Sequence, residues 1–272
     1  MTGGILMQPL VVDAADISSW VSRLWWPVIR IGGFVASAPV ISAATVPVRV
    51  KAVLTVAVAF LLAPAAHAPA DLSIFSAAGF LTAAQELLIG VSIGMVVQLA
   101  FEALTLAGQT VATTMGLGFA TLVDPQRGAN TAVLGQLFMV FAVLTYLATD
   151  GQLALIAALA HSFQSLPIGA ARVDERWLLA VVTWGGRIFE TGLMIALPAV
   201  IALLIVNLAL GVVTRAAPQL NLFGVGFPIT LLAGFVVLYA GMDGLMAGIA
   251  SVIHSALAAV VQMTSVAAAR VP

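Results

Sequence analysis

Four carboxylates lie inside long apolar runs of this chain: Glu86, Glu102, Glu190 and Asp243. A charge in hydrocarbon is costly, so each of these acids needs a partner, water or a task. One task is a proton or ion relay. The plainer alternatives are pairing, hydrogen bonding to a neighbouring subunit, or exposure to a water-filled space. The acids are scattered and no two cluster in sequence, which favours the plainer set. Arg187 stands three residues before Glu190, so the two share a helix face and are expected to pair. The histidines His67, His161 and His254 are remote from one another, and none stands in an H-E-x-x-H spacing. The sequence has no G-x-x-x-x-G-K-[ST] phosphate loop and no cysteine, so it lacks that route to nucleotide hydrolysis, disulfides and thiolate chemistry. We expect no enzyme activity, no cofactor and no metal.

The second candidate is a stretch of backbone. Met115 to Asn130 reads M-G-L-G-F-A-T-L-V-D-P-Q-R-G-A-N, with three glycines, a proline and one Asp/Arg pair. Flexible backbone at membrane depth is tolerated where it is buried in protein or lines a cavity. We therefore expect a pore-side loop. Phe119 stands among the small residues Gly116, Gly118, Ala120 and Thr121. A bulky ring in that setting can protrude into a constriction that excludes water, or it can be an ordinary core phenylalanine.

Composition fixes the class that must position these residues. The chain is 62% hydrophobic and 8% charged, whereas soluble domains carry roughly 25% charged residues. This is an all-α, polytopic membrane protein. With a net charge of −1 and no basic patch, nothing suggests nucleic acid. The N-terminus has no positive region followed by a short apolar core and a small-residue cleavage site, so targeting is expected from the apolar segments themselves.

About six hydrophobic blocks follow one another, several too long or too broken for simple spans, and no soluble domain interrupts them. Asp13 or Asp16 is placed to cap a first helix. Arg23, Trp25, Trp26 and Arg30 suit a headgroup level or a protein contact. Pro39 interrupts the first span. The short basic loop 47–51 favours the cytoplasm, which puts the N-terminus outside. The run 52–63 is shorter than the ~20 residues of a simple span, so it either extends back into the basic loop or stops short of a full crossing. The run 72–120 is about 49 residues, roughly 70 Å as one straight helix, so a long bent element or a hairpin is expected. Gly90 and Gly94 give it a spacing that permits close helix approach. Asp150-Gly151 breaks the next run, Pro198 should kink the run 177–213, and 227–268 is the last.

Two groups of residues carry a resemblance. The first is Gln85-Glu86-Leu87-Leu88-Ile89-Gly90, Gly94, Phe101-Glu102-Ala103, Ala107-Gly108-Gln109, Met115-Gly116-Leu117-Gly118-Phe119-Ala120 and Asp124-Pro125. The second is Arg215-Ala216-Ala217-Pro218-Gln219-Leu220-Asn221-Leu222-Phe223 with Gly226-Phe227-Pro228-Ile229-Thr230. In order and spacing they resemble the flagellar biosynthetic FliR family of the type III secretion export gate, and block pattern and length agree from end to end.

The resemblance implies a non-enzymatic gate subunit formed by the whole chain, residues 1–272, as one integral membrane domain. Its implied partners are FliP- and FliQ-like subunits in a helical ring, with FlhB- and FlhA-like proteins beside it. Unfolded flagellar proteins would be the exported substrate, and the setting the bacterial inner membrane within the flagellar basal body. Much of that ring stands above the bilayer and its helices are bent hairpins, which weakens the orientation argued from positive charge. The family's plug loop falls on Met115, Gly116, Gly118, Phe119, Ala120, Thr121 and Leu122. Leu122 stands where some relatives carry a second phenylalanine, so the seal would lean on Phe119. Glu86, Glu102, Arg187, Glu190, Asp243, Pro218, Gln219, Asn221 and Phe223 are expected at partner interfaces or as buried charges. Thr230 matches flagellar members, whereas injectisome relatives tend to carry lysine there. An injectisome gate subunit, or a proton-coupled secondary transporter using Glu86, Glu102 or Asp243, are the competing readings.

Overall fold

The computed structural model describes residues 14–66, 69, 72–118, 133–169, 175–217 and 226–268. Among the described residues every regular element is helical: α1 (Ala14–Ser37), α2 (Val48–Leu62), α3 (Ala77–Thr114), α4 (Val133–Ala148), α5 (Gly151–Ser165), α6 (Glu175–Ala216), α7 (Phe227–Ala240) and α8 (Met242–Ala268). The 18-residue stretch Val48–Ala65, α3, Trp177–Ala216 and Met242–Ser265 are long and apolar enough to cross a membrane. The α4–α5 pair, bent by 66°, is long and apolar enough only when its two helices are taken together, as a broken span or a re-entrant loop.

The organising element is α3. The Ser76 hydroxyl starts it by accepting the Gly79 N–H at 2.9 Å, which satisfies one of the donors a helix leaves unpaired at its N-terminus. From there the helix runs unbroken for 38 residues, about 57 Å at 1.5 Å per residue. It is one continuous helix and not a hairpin. Its glycines act as contact points and not as hinges. A Cβ on Gly90 would collide with the Arg30 carbonyl, one on Gly94 with the Ser37 hydroxyl, and one on Gly108 with the backbone of Leu134 and Gly135. Each glycine lets a neighbouring backbone lie directly on α3.

Two helices use those approaches, and a third packs on α3 through a glycine of its own. Arg30 pairs with Glu86, Phe34 lies against Gly90 and Ala38 against Gly94, so α1 runs in the same direction as α3. The buried face of α1 carries Trp26, Arg30 and Phe34 at one residue per helical turn, with Ile31 and Val35 beside them and Ala38 just past its end. In α4 the order is reversed: Leu134 meets Gly108, Met139 lies 3.9 Å from the Thr105 hydroxyl, and Tyr146 meets Phe101 edge-on at 5.5 Å. Helix α6 follows α3 in parallel. Trp177 Nε1 donates to Ser92 Oγ at 3.1 Å and Trp184 Nε1 to the Val96 carbonyl at 2.8 Å, and Gly192 lies against the Ala103 carbonyl.

Several expectations shift. The basic run 47–51 is not a loop: Pro47 precedes α2, which puts Arg49 and Lys51 in its first turns, and Lys51 Nζ donates to the Ser42 carbonyl at 2.8 Å. The short run therefore extends back into the basic residues. Helix α1 is already running at Ala14, so Asp16 lies within it and does not cap it. The final run divides at Gly241, which ends α7 and leaves Asp243 in the first turn of α8. Asp150, at φ 53°, forms the expected break between α4 and α5.

Candidate functional site

The described part of the candidate gate is the turn that ends α3. Met115 closes the helix and Gly116 follows in the left-handed region, at φ 85°. The Gly116 N–H donates to the Thr113 carbonyl at 3.0 Å and the Leu117 N–H to the Ala112 carbonyl at 3.0 Å. This is a Schellman turn, whose left-handed position favours glycine because it lacks a Cβ. Gly118, two residues on, lies outside the left-handed range, and the nearest atom to a built Cβ, Thr113 Cγ2, is 3.8 Å away.

Every carbonyl of the last helical turn is satisfied. Val111 accepts from the Met115 N–H at 2.9 Å, and Ala112 and Thr113 accept within the turn. The fourth, Thr114, accepts from Asn207 Nδ2 of α6 at 3.2 Å. Asn207 Oδ1 in turn lies 3.3 Å from the Thr230 hydroxyl in the first turn of α7. That hydroxyl shares its single proton with the Gly226 carbonyl at 3.0 Å. One turn further along α7, Gly234 leaves room for the fully buried Met115 side chain. Ala107, Val111, Leu134, Phe138 and Leu203 pack around Met115 as a second core, separate from the larger one. Asn207 went unnoticed in the sequence. Its signal is present, since a lone asparagine inside a long apolar helix needs a hydrogen-bond partner.

Phe119, Ala120, Thr121 and Leu122 lie outside the described residues, as do Pro218, Gln219, Asn221 and Phe223. The flanks of both intervals are described and they converge. The interval 119–132 leaves from the end of α3 and returns at Val133, with Leu134 set against Gly108. The interval 218–225 ends at Gly226, whose carbonyl takes part in the Thr230–Asn207–Thr114 chain. The end of α3 and the start of α7, described flanks of the two sequence regions singled out above, therefore meet at one junction.

The intramembrane charges do not gather there. Glu86 is buried and accepts from Arg30 Nε at 2.6 Å. Arg30 is itself fully buried within the fold. Its Nη1 donates to the Ser162 carbonyl at 2.9 Å and to Ser162 Oγ at 3.2 Å, and its Nη2 to the Leu166 carbonyl at 2.8 Å. The guanidinium also lies 4.3 Å over the Phe163 ring. It thus caps the C-terminal end of α5, where carbonyls lack helical partners and the dipole favours a cation, and ties α1, α3 and α5 together.

The expected pair of Arg187 and Glu190 does not form. The Arg187 guanidinium lies 5.4 Å over the Trp184 ring instead. Helical side chains lean toward the N-terminus, which carries Arg187 back to Trp184 and away from Glu190. Both charges are exposed, as is Glu102, whose Oε1 accepts from Gln98 one turn earlier at 3.0 Å. Asp243 is exposed in the first turn of α8, where the helix dipole favours an anion. Among the described residues no group of His, Asp and Glu is disposed to hold a metal ion.

The profile of the bacterial export proteins, family 1, matches residues 21–256. The flagellar biosynthetic protein FliR of Pectobacterium carotovorum is 43% identical over 230 residues, covering 84% of this chain and 87% of that protein. FliR of Escherichia coli K12 is 40% identical over 233 residues, covering 86% and 89%. FliR of Caulobacter vibrioides is 32% identical over 220 residues, covering 79% and 86%.

Proposed function

The chain belongs to the bacterial export proteins, family 1, and from that premise we propose that it acts as the FliR-type subunit of the flagellar type III export gate. By family it is a membrane-embedded flagellar export protein. In our reading the whole chain, residues 1–272, works as one integral unit in the bacterial inner membrane, at the flagellar basal body. It assembles with FliP- and FliQ-like subunits, beside FlhB- and FlhA-like proteins, around a conduit for unfolded flagellar proteins. The interval after Gly118, with Phe119 foremost, plugs that conduit when it is closed. The role is structural, with no catalytic step.

The observation that carries this reading is the match to flagellar relatives along most of the chain. The helix lengths support it: α3 and α6, at about 57 and 63 Å, far exceed a ~30 Å hydrocarbon core, as elements of a ring standing partly outside the bilayer would. A transporter relay through Glu86 is disfavoured because its carboxylate is locked to Arg30. The flagellar names of the relatives favour a flagellar setting over an injectisome. Mild detergent extraction followed by native mass spectrometry tests the assembly. FliP- and FliQ-like subunits are expected on the chain in the extracted material, and their absence from it would refute the proposal.

A further inference from the structure

We propose that Asn207 is a positioning residue for the candidate gate: it clamps the last turn of α3 to the first turn of α7 and so fixes the turn at Gly116 that precedes residues 119–132. The inference rests on the reading of that interval as the plug. Thr114 is the last residue of α3, and its carbonyl is the one acceptor of the final turn that the Schellman turn leaves unpaired. Asn207 supplies the missing donor from a different helix, at 3.2 Å. The same amide accepts from Thr230, whose hydroxyl also faces Gly226, the residue that follows the interval 218–225. One side chain therefore ties the end of α3 to the start of α7.

The amide is suited to this because it donates on one side and accepts on the other. In an apolar surrounding, an unpaired carbonyl costs more than the bond is worth in water. The clamp is therefore a two-position element: made, it fixes the exit direction at Gly116, and broken, it leaves Thr114 seeking another donor. The apolar half of the junction, Met115 against Gly234, has no directional bond of its own and follows the clamp.

Asn207→Asp separates the two limbs. Aspartate keeps the shape and can still accept from Thr230, but a carboxylate cannot donate to the Thr114 carbonyl. The chain has no cysteine, so an engineered pair at Met115→Cys and Gly234→Cys reports the junction directly. Truncating Met115 opens the space that a Cβ at residue 234 would otherwise invade. The assay uses the full complex in membrane vesicles and reads disulfide yield in the cysteine background and ion leak in the otherwise unaltered chain. With assembled complex held equal, Asn207→Asp is expected to lower disulfide yield and raise leak, each by roughly five- to thirtyfold, the worth of one such bond. Unchanged disulfide yield would overturn the clamp, whatever the leak. Lower yield with no added leak would uphold the clamp and refute the plug reading. Should Asn207→Asp fail to assemble, Thr230→Val, which removes the other limb without changing shape, is put through the same comparison, and unchanged yield there overturns the clamp equally.

Discussion

Arg30 and Glu86 meet at 2.6 Å with both side chains out of reach of solvent, 56 residues apart in sequence. Breaking a buried pair by removing one partner leaves an uncompensated charge and costs about 3–5 kcal/mol. Glu86→Leu should therefore lose most of its folded population in thermal unfolding of the detergent-extracted protein. Arg30→Met combined with Glu86→Leu should be less damaging than Glu86→Leu alone, because no orphan charge remains. The double variant will not recover fully, since Arg30 also serves the Ser162 and Leu166 carbonyls.

Helix α1 can lie on α3 only while Gly90 lacks a side chain. Gly90→Ala places a methyl group onto the Arg30 carbonyl, and a backbone clash cannot be relieved by a rotamer change. The expected cost is about 1–3 kcal/mol, the usual range for overpacking. Gly244, in α8, has nothing within 4 Å of a built Cβ, so Gly244→Ala should be neutral or gain about 0.5–1 kcal/mol from helix propensity. Measured side by side on the extracted chain, equal effects would contradict the contact-point account of the α3 glycines.

At the end of α3 the two neighbouring glycines should behave differently. Gly116 occupies the left-handed region at φ 85° and Gly118 does not. Gly116→Ala is expected to cost about 1–2 kcal/mol, whereas Gly118→Ala should leave the melting temperature of the extracted chain near its starting value. An equal loss at both positions would mean that the turn is not the one described.

Much of the fold could be read in advance because hydropathy is local. The all-helical class, the break at Asp150-Gly151 and the end of α1 before Pro39 follow from runs of apolar residues and their interruptions. The partner of Arg30 could not be read, since its three contacts come from residues 56 to 136 positions away. Gly90 and Gly94 were legible as points of close helix approach, and in the fold α1 lies on both; the approach of α4 at Gly108 was not singled out. As an acid in an apolar run Asp243 reads as internal to a span, and the break at Gly241 places it in the first turn of α8. Of the candidate gate, Gly116 and the junction around it were legible as flexible backbone, but the asparagine that holds the junction was not singled out.

The central claim is that the interval following Gly118 seals a conduit, and the most direct measurement is ion conductance of the assembled complex carrying Phe119→Ala. Hydrophobic constrictions exclude water through bulk and dryness, so losing the ring should open a leak while the complex still assembles in normal amount. The account predicts higher resting conductance in Phe119→Ala than in the unaltered complex. A fully assembled Phe119→Ala complex with unchanged conductance would contradict it.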